Sequence, residues 1–247
     1  MNFSAISEIS LLGKVLRWPL RFIPASMRLP ILQGRLRGTI WIVGAGNHGY
    51  WLGSYESDKQ VVFEKYIHPG NVVYDIGAHT GYYSLLASTL VGPLGKVFAF
   101  EPLPRNIRFL KEHLRINQVT NIQVINAAVS DRSGSASFSD EDSSFSGRLT
   151  ANGEIEVNMV CLDDLWAGGE LPPPAVIKVD VEGAEFSVLS GAKRVIQTSR
   201  PFIFLATHGA EIHHQCEVWL QTAGYKLSIL NSPDEILALP DGEEQAL

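Results

Sequence analysis

The chain has 247 residues, 45% of them apolar and 19% charged, a composition that fits one large folded domain and excludes a disordered tail. A formal net charge of −6 gives no general footprint for gripping a nucleic-acid backbone. Two cysteines, Cys161 and Cys216, are too few for a disulfide framework and have no metal-like spacing, so a reducing, cytoplasmic compartment is expected.

The charge is uneven. Residues 1–40 carry Lys14, Arg17, Arg21, Arg28, Arg35 and Arg37 against a single acid, Glu8. Ile6, Ile9, Leu12 and Leu16 recur at helical spacing and predict an amphipathic helix over residues 6–18, ending before Pro19. Such a helix packs on the domain, forms a lid, or makes peripheral contact with a membrane surface. Lys14, Arg17 and Pro19 interrupt its apolar run, which makes it a poor signal peptide, and no charge-free apolar run reaches about 18 residues. Residues 19–38, with Pro19, Pro24 and Pro30, read as an irregular connector.

Thr39–Val43 is a short strand candidate, and Glu56–Ile67 a helix that Ser54 can cap. Strand Val72–Ile76, helix Tyr82–Leu90, strand Val97–Phe100, helix Arg105–Ile116 and strand Ile122–Ile125 follow. Residues 131–160 turn polar, with alternating pieces at Ser135–Ser139 and Glu154–Val160, and read as a hairpin insertion. Then come strand Ala175–Val179, helix Glu185–Gln197, strand Phe202–Ala206, helix Glu211–Ala223, strand Tyr225–Leu230 and a final strand at Ile236–Leu239. Continuous apolar strands alternating with helices predict a doubly wound α/β fold with a mostly parallel sheet covered on both faces. The expected division is an N-terminal helical or irregular extension at 1–55 and a ligand-binding α/β domain at 56–247.

Strand Val72–Ile76 runs through Asp75 into the loop Gly77-Ala78-His79-Thr80-Gly81, and a helix starts at Tyr82. Glycines there let a ligand approach the backbone, and the helix start offers unpaired N–H groups. Glu101 ends the next strand, 20 residues after Gly81, where an acid can accept bonds from both hydroxyls of a ribose; the plainer reading is a cap on the following turn. The loop lacks a full three-glycine fingerprint, and Asp75 suits a cationic group better than a pyrophosphate. Both features favour S-adenosylmethionine over a dinucleotide. A complete GxGxxG does occur at Gly44–Gly49, but Trp51, Leu52, Gly53 and Ser54 give no clean helix after it. That segment is expected to fold against the true site, with Tyr55 and Glu56 near the ligand.

Asp180, Glu182 and Glu185 cluster after strand Ile177–Val179, at the sheet edge where open α/β folds place ligands. Asp180 is the leading catalytic candidate and Glu182 a base or orienting group, while Glu185 can simply favour the first turn of its helix. Lys178 can pair with one of these acids. His208, just after the fifth main-sheet strand, suits a proton acceptor, and equally a loop histidine bonded to backbone. Its spacing to His213, His214 and Cys216 is not a zinc pattern, and Cys216 falls on the apolar stripe of Ile212, Trp219 and Leu220. A divalent metal held by acids is conceivable, but no metal site is assigned. Tyr50, Trp51, Tyr55, Tyr82 and Tyr83 either line an acceptor pocket or seal the N-terminal segment to the sheet.

The blocks VVYDIGAHTGYYSLLAS, FAFEPLPRNIRFLKEHLRIN, INAAVSDRSG, CLDDL and VIKVDVEGAEFSVLSGA resemble the FkbM family of S-adenosylmethionine-dependent methyltransferases, as does GNHGYWLGSYE ahead of them. The resemblance implies a seven-stranded class I methyltransferase sheet with one antiparallel edge strand. It implies Asp75, Gly77, Ala78 and Gly81 around the methionine part of the cofactor, Glu101 on the ribose, Asn126 and Ala127 near the adenine, and Asp180 close to the methyl group or acceptor. Family members commonly have asparagine where this chain has His79. The implied activity is methyl transfer to a hydroxyl of a sugar, lipid or other small molecule, with S-adenosylhomocysteine as product. The alternatives are an NAD(P)-dependent oxidoreductase and a non-catalytic binding domain on the same fold.

Overall fold

The computed structural model describes residues 18–140, 147–149 and 155–243; the helix expected over residues 6–18 lies almost wholly outside them. Seven strands form the main sheet in the order β12-β13-β11-β10-β3-β4-β5. They are β3 (Val72–Ile76), β4 (Lys96–Phe100), β5 (Ile122–Ile125), β10 (Val176–Val179), β11 (Phe202–Ala206), β12 (Tyr225–Ile229) and β13 (Glu235–Pro240). All expected strands from residue 72 onward are present, and the neighbours from β5 to β11 pair in parallel. The antiparallel strand, β13, sits one position in from the edge rather than at it. The chain turns back after β12, so β13 inserts between β12 and β11 and pairs antiparallel with both.

Strict alternation along the strands sorts the core. Tyr74, Ile76, Phe98, Phe100, Ile177 and Val179 pack on one face under α6 (Glu185–Gly191), α7 (Lys193–Ser199) and α8 (Ala210–Thr222). Val73, Val97 and Phe204 point to the other face, under α2 (Ser57–Tyr66) and α3 (Tyr82–Val91). That second face also contains Asp75 and Lys178, directly paired across β3 and β10. On the sheet's flank lies α4 (Pro104–Ile116).

Three expectations change. The region read as an irregular connector contains β1 (Arg28–Pro30), which pairs antiparallel with β2 (Ile40–Ile42) in a separate ribbon. Ser54 does not cap α2; Glu56 takes that position in a left-handed conformation without a side-chain cap bond. The helix expected over Glu185–Gln197 breaks at Ala192 into α6 and α7. Gly191 packs so tightly on the Ser130 carbonyl that a Cβ would come within 2.1 Å of it. The CLDDL block forms α5 (Leu162–Ala167), and Asp163 accepts the Arg194 and Val195 N–H groups at 2.9 Å, capping α7 from another element.

The polar insertion is a small sheet. β7 (Gly134–Asp140) pairs antiparallel with β8 (Gly147–Leu149) and with β9 (Ile155–Val160), and β6 (Ala128–Val129) joins β9 in parallel. Among the described residues, no helix is long and apolar enough to cross a membrane.

Candidate active site

A cavity of about 520 Å3 opens at the carboxyl ends of the central strands. One wall belongs to β3, β4 and the loops after them. Glu101, at the end of β4, is 4% exposed. Its Oε2 accepts the His79 N–H at 2.8 Å, and its Oε1 accepts the Leu103 N–H at 2.9 Å and the Asn106 amide at 3.2 Å. Burial raises the Glu101 pKa against these donors, which pull it down. Leu103, Ala127, Ala128 and Val129 give the same wall an apolar strip.

The loop glycines serve the protein before any ligand. Gly77 has φ +77°, and a Cβ there would lie 1.8 Å from the Asp180 carbonyl oxygen. Gly81 has φ +99°, and its Cβ would strike Leu110 at 2.3 Å. His79 between them is also left-handed, at φ 53°. Asparagine and histidine are both enriched in that region, so the chain's departure from the usual asparagine leaves intact the backbone N–H aimed at Glu101. Below the loop, His113 is fully buried and stacks on Trp41 at 4.0 Å. Its Nδ1–H donates to the Thr80 carbonyl at 2.9 Å and its Nε2 accepts the Ile42 N–H at 3.1 Å, and burial lowers its pKa to about 4.

The other wall comes from the end of β10 and the loop after it, with His208 from the end of β11 beside it. Asp180 and Glu182 line the cavity, Glu182 in a left-handed conformation at φ 56°. His208, after β11, does not itself line the cavity; its Nε2 is 3.4 Å from Glu182 Oε2 and 3.9 Å from Asp180 Oδ1. Its Nδ1 meets Oε1 of the fully buried Glu185 at 2.7 Å. That hydrogen bond, reinforced by the charges of Glu182 and Asp180, raises the His208 pKa although burial opposes it.

Lys178 lines this wall beside Asp180. Its Nζ is 3.3 Å from Asp75 Oδ1, 3.7 Å from Asp180 Oδ2 and 3.4 Å from the Gly77 carbonyl. Burial alone would lower its pKa, but Asp75, Asp180 and Glu56 outweigh burial and raise it. Asp180 answers in the opposite sense: burial raises its pKa, while Lys178, Lys59 and His208 together bring it below the usual carboxylate range.

The cavity thus brings together Gly77, Ala78, Glu101, Ala127, Asp180 and Glu182 from the expected set. Four expected cofactor contacts do not line it. Asp75 is 1% exposed and already holds Lys178 and the Ser84 hydroxyl, the latter at 2.6 Å. Glu56 sits behind Tyr83, accepting its hydroxyl at 2.8 Å and pairing with Lys59. Gly81 is turned toward Leu110, and Asn126 lies on a separate shallow cleft beside Arg108 and Lys111.

The GxGxxG segment also behaves as a wall rather than a fingerprint. β2 belongs to an antiparallel ribbon, and the helix after the glycines, α1 (His48–Leu52), has only five residues. A dinucleotide fingerprint needs a βαβ unit that is missing here. Gly46, Asn47, Tyr50 and Tyr55 line the cavity instead, and the Thr80 hydroxyl ties the segment down through the Ala45 carbonyl at 2.8 Å. Tyr50 and Tyr55 stack at 4.1 Å, and Tyr82 meets both edge-on. The lysine within an otherwise apolar strand was the sequence signal for the buried ion-pair network. Nothing local marked Asn47 as a lining residue.

A model of the methyltransferase FkbM domain matches residues 75–227. The hexuronic acid methyltransferase AglP of Haloferax volcanii is 31% identical over 140 residues, 56% of this chain and 56% of that protein. The 2-O-methyltransferase NoeI of Sinorhizobium fredii is 28% identical over 165 residues, 59% of this chain and 66% of that protein. The matched regions therefore span between about half and two thirds of these relatives' lengths. The crystal structure of methyltransferase FkbM from Methylobacillus flagellatus KT superposes with a TM-score of 0.54 at 16% identity, over 77% of this chain and 52% of that one, which speaks for the fold. By the family match across most of its length, and with the fold in agreement, the chain belongs to the FkbM methyltransferase domain family.

Proposed function

We propose that the protein transfers a methyl group from S-adenosylmethionine to a hydroxyl oxygen of a small molecule, sugar or glycolipid. The observation that carries this reading is one cavity with a pre-bonded carboxylate at the end of β4 on one wall and Asp180 and Glu182, backed by His208, after β10 on the other. The similarity to a hexuronic acid methyltransferase and a 2-O-methyltransferase supports a sugar hydroxyl as the acceptor class.

The donor set fits the cofactor. Glu101 accepts three protein bonds, and an ionised carboxylate has about four acceptor positions, so it keeps capacity for a ribose hydroxyl. The apolar strip of Leu103, Ala127, Ala128 and Val129 suits a flat base. When bound, S-adenosylmethionine supplies an electrophilic methyl group on a positively charged sulfur. Asp180, held ionised by Lys178, provides a fixed negative charge that favours that cationic centre. The rings of Tyr50, Tyr55 and Tyr82 give the cavity an aromatic lining. The acceptor hydroxyl must lose its proton, and Asp180 and Glu182, with His208 beside them, are the groups of this site placed to accept it or to orient the oxygen.

Two measurements test the reading. Calorimetry with S-adenosylhomocysteine is expected to show one site, and a labelled-methyl screen over glycans, lipids and metabolite extracts is expected to label a hydroxylated acceptor. Binding of NAD(P) with no affinity for S-adenosylhomocysteine would overturn it. Cofactor binding with no acceptor labelled in a wide screen would favour a non-catalytic domain.

A further inference from the structure

We propose that Asp180, Glu182 and His208 form a binding site for one divalent cation of the Mg2+ or Mn2+ class, placed where the acceptor hydroxyl must sit. This rests on the methyltransferase reading of the cavity but is tested apart from it.

The three side chains come from two separate loops, yet each offers a ligand atom within 4.8 Å of the other two. His208 Nε2 lies 3.4 Å from Glu182 Oε2 and 3.9 Å from Asp180 Oδ1. Two ligands about 2.0–2.2 Å from a common cation can stand up to roughly 4.2 Å apart, so each of these two spans fits a shared cation, and the Asp180–Glu182 span is within 4.8 Å. One imidazole and two carboxylates form a donor set dominated by oxygen, as these cations prefer.

The support behind the histidine is the second observation. Glu185 is fully buried, and its Oε1 holds His208 Nδ1 at 2.7 Å. That bond fixes the tautomer so that Nε2, turned toward Asp180 and Glu182, is the lone-pair nitrogen. A carboxylate behind a ligating histidine is the usual outer support of a metal site. Glu185 Oε2 has no hydrogen-bond partner among the described residues, so this buried carboxylate is incompletely neutralised by its surroundings. The wider charge balance agrees. Among the described residues, six acids share two lysines and one histidine, with Glu56 and Glu235 on Lys59, Asp75 and Asp180 on Lys178, and Glu182 and Glu185 on His208, so acids are in excess. A single sulfonium offsets one charge of that excess, and a divalent cation offsets two more.

With three protein ligands, the cation keeps open positions for the acceptor oxygen and lowers the pKa of its hydroxyl. The hydroxyl proton passes to the Glu182 oxygen not used as a ligand. The acceptor oxygen then forms its bond to the methyl carbon as the sulfur–carbon bond breaks, its electron pair remaining on sulfur. His208 Nε2 is a ligand in this scheme and accepts no proton.

The test titrates Mn2+ into the purified full-length chain without cofactor, following free Mn2+ by electron paramagnetic resonance. One saturable site is expected. Glu182→Gln and His208→Ala should each weaken it at least about tenfold, and exposed Glu156→Gln should leave it unchanged. No saturable binding, or binding indifferent to Glu182→Gln, overturns the proposal. Glu182 is partly exposed and cavity-lining, so its variant keeps the test valid if His208→Ala fails to fold. Calorimetry with S-adenosylhomocysteine on the same samples separates the two readings. Cofactor binding without Mn2+ binding overturns the cation alone, and Mn2+ binding without cofactor binding overturns the methyltransferase reading alone.

Discussion

On the β4 wall of the cavity, Glu101 is locked by the His79 and Leu103 N–H groups and the Asn106 amide before any ligand arrives. On the β10–β11 wall, Asp180, Glu182 and His208 face one another at 3.4 Å and more, partly exposed, and Lys178 anchors only Asp180. A pre-bonded wall suits a ligand common to many reactions, because its geometry is fixed in advance. A wall of spaced, charged groups suits a partner that differs from one reaction to the next. On the proposed function, the two walls divide the labour: the first recognises, the second reacts.

Gly77 is the seam between them, so the largest effect is expected there. Gly77→Ala would push a Cβ to within 1.8 Å of the Asp180 carbonyl, at a φ that alanine resists. A loss of about 3–5 kcal/mol in urea unfolding is expected, together with loss of cofactor affinity, because moving either loop disturbs both walls. A variant of unchanged stability would show that the walls are not mechanically joined at this point.

Much of the β4 wall was legible in the sequence, and less of the rest. An apolar strand, a glycine loop and an acid 20 residues later are local signals, and they pointed to Gly77, Ala78 and Glu101, which the fold brings to the cavity. The same signals pointed to Asp75, whose side chain does not line the cavity, because strand alternation turns it into the sheet face shared with Lys178. Ordinary close packing explains Gly81 as fully as ligand approach does, so glycine spacing could not tell the two apart. The third wall, from Gly46 to Tyr55, depends on how β1 and β2 pair, and that register is a tertiary fact. Likewise Gly191 breaks the helix over 185–199 only because Ser130, far away in sequence, packs against it.

His113 supports the β4 wall from below, and pH exposes its contribution. Its folded pKa is lowered by burial to about 4 against 6.5 when unfolded, so the unfolded chain binds more protons between those values. Its contribution is full above pH 6.5 and is lost as pH falls toward 4, by roughly 3 kcal/mol in all. Unfolding midpoints measured across that window should fall more steeply in the native chain than in His113→Gln, which has no proton to gain. Equal slopes would mean that the imidazole is not a buried neutral clamp between Thr80 and Ile42.

The smallest effect is the most discriminating between the walls. Glu101→Gln keeps an oxygen for part of the donor set but loses the full charge and some acceptor capacity toward a ribose. S-adenosylhomocysteine affinity should fall about tenfold, near 1.4 kcal/mol, with turnover at saturating cofactor little changed. Asp180→Asn should do the reverse, leaving product affinity within a few fold while turnover on a confirmed acceptor drops. Binding and turnover are separable only if recognition and chemistry reside on different walls. If both variants lowered kcat equally and left cofactor affinity alone, Glu101 would be a structural cap on its own turn, and the division between the walls would fail at the residue on which it most depends.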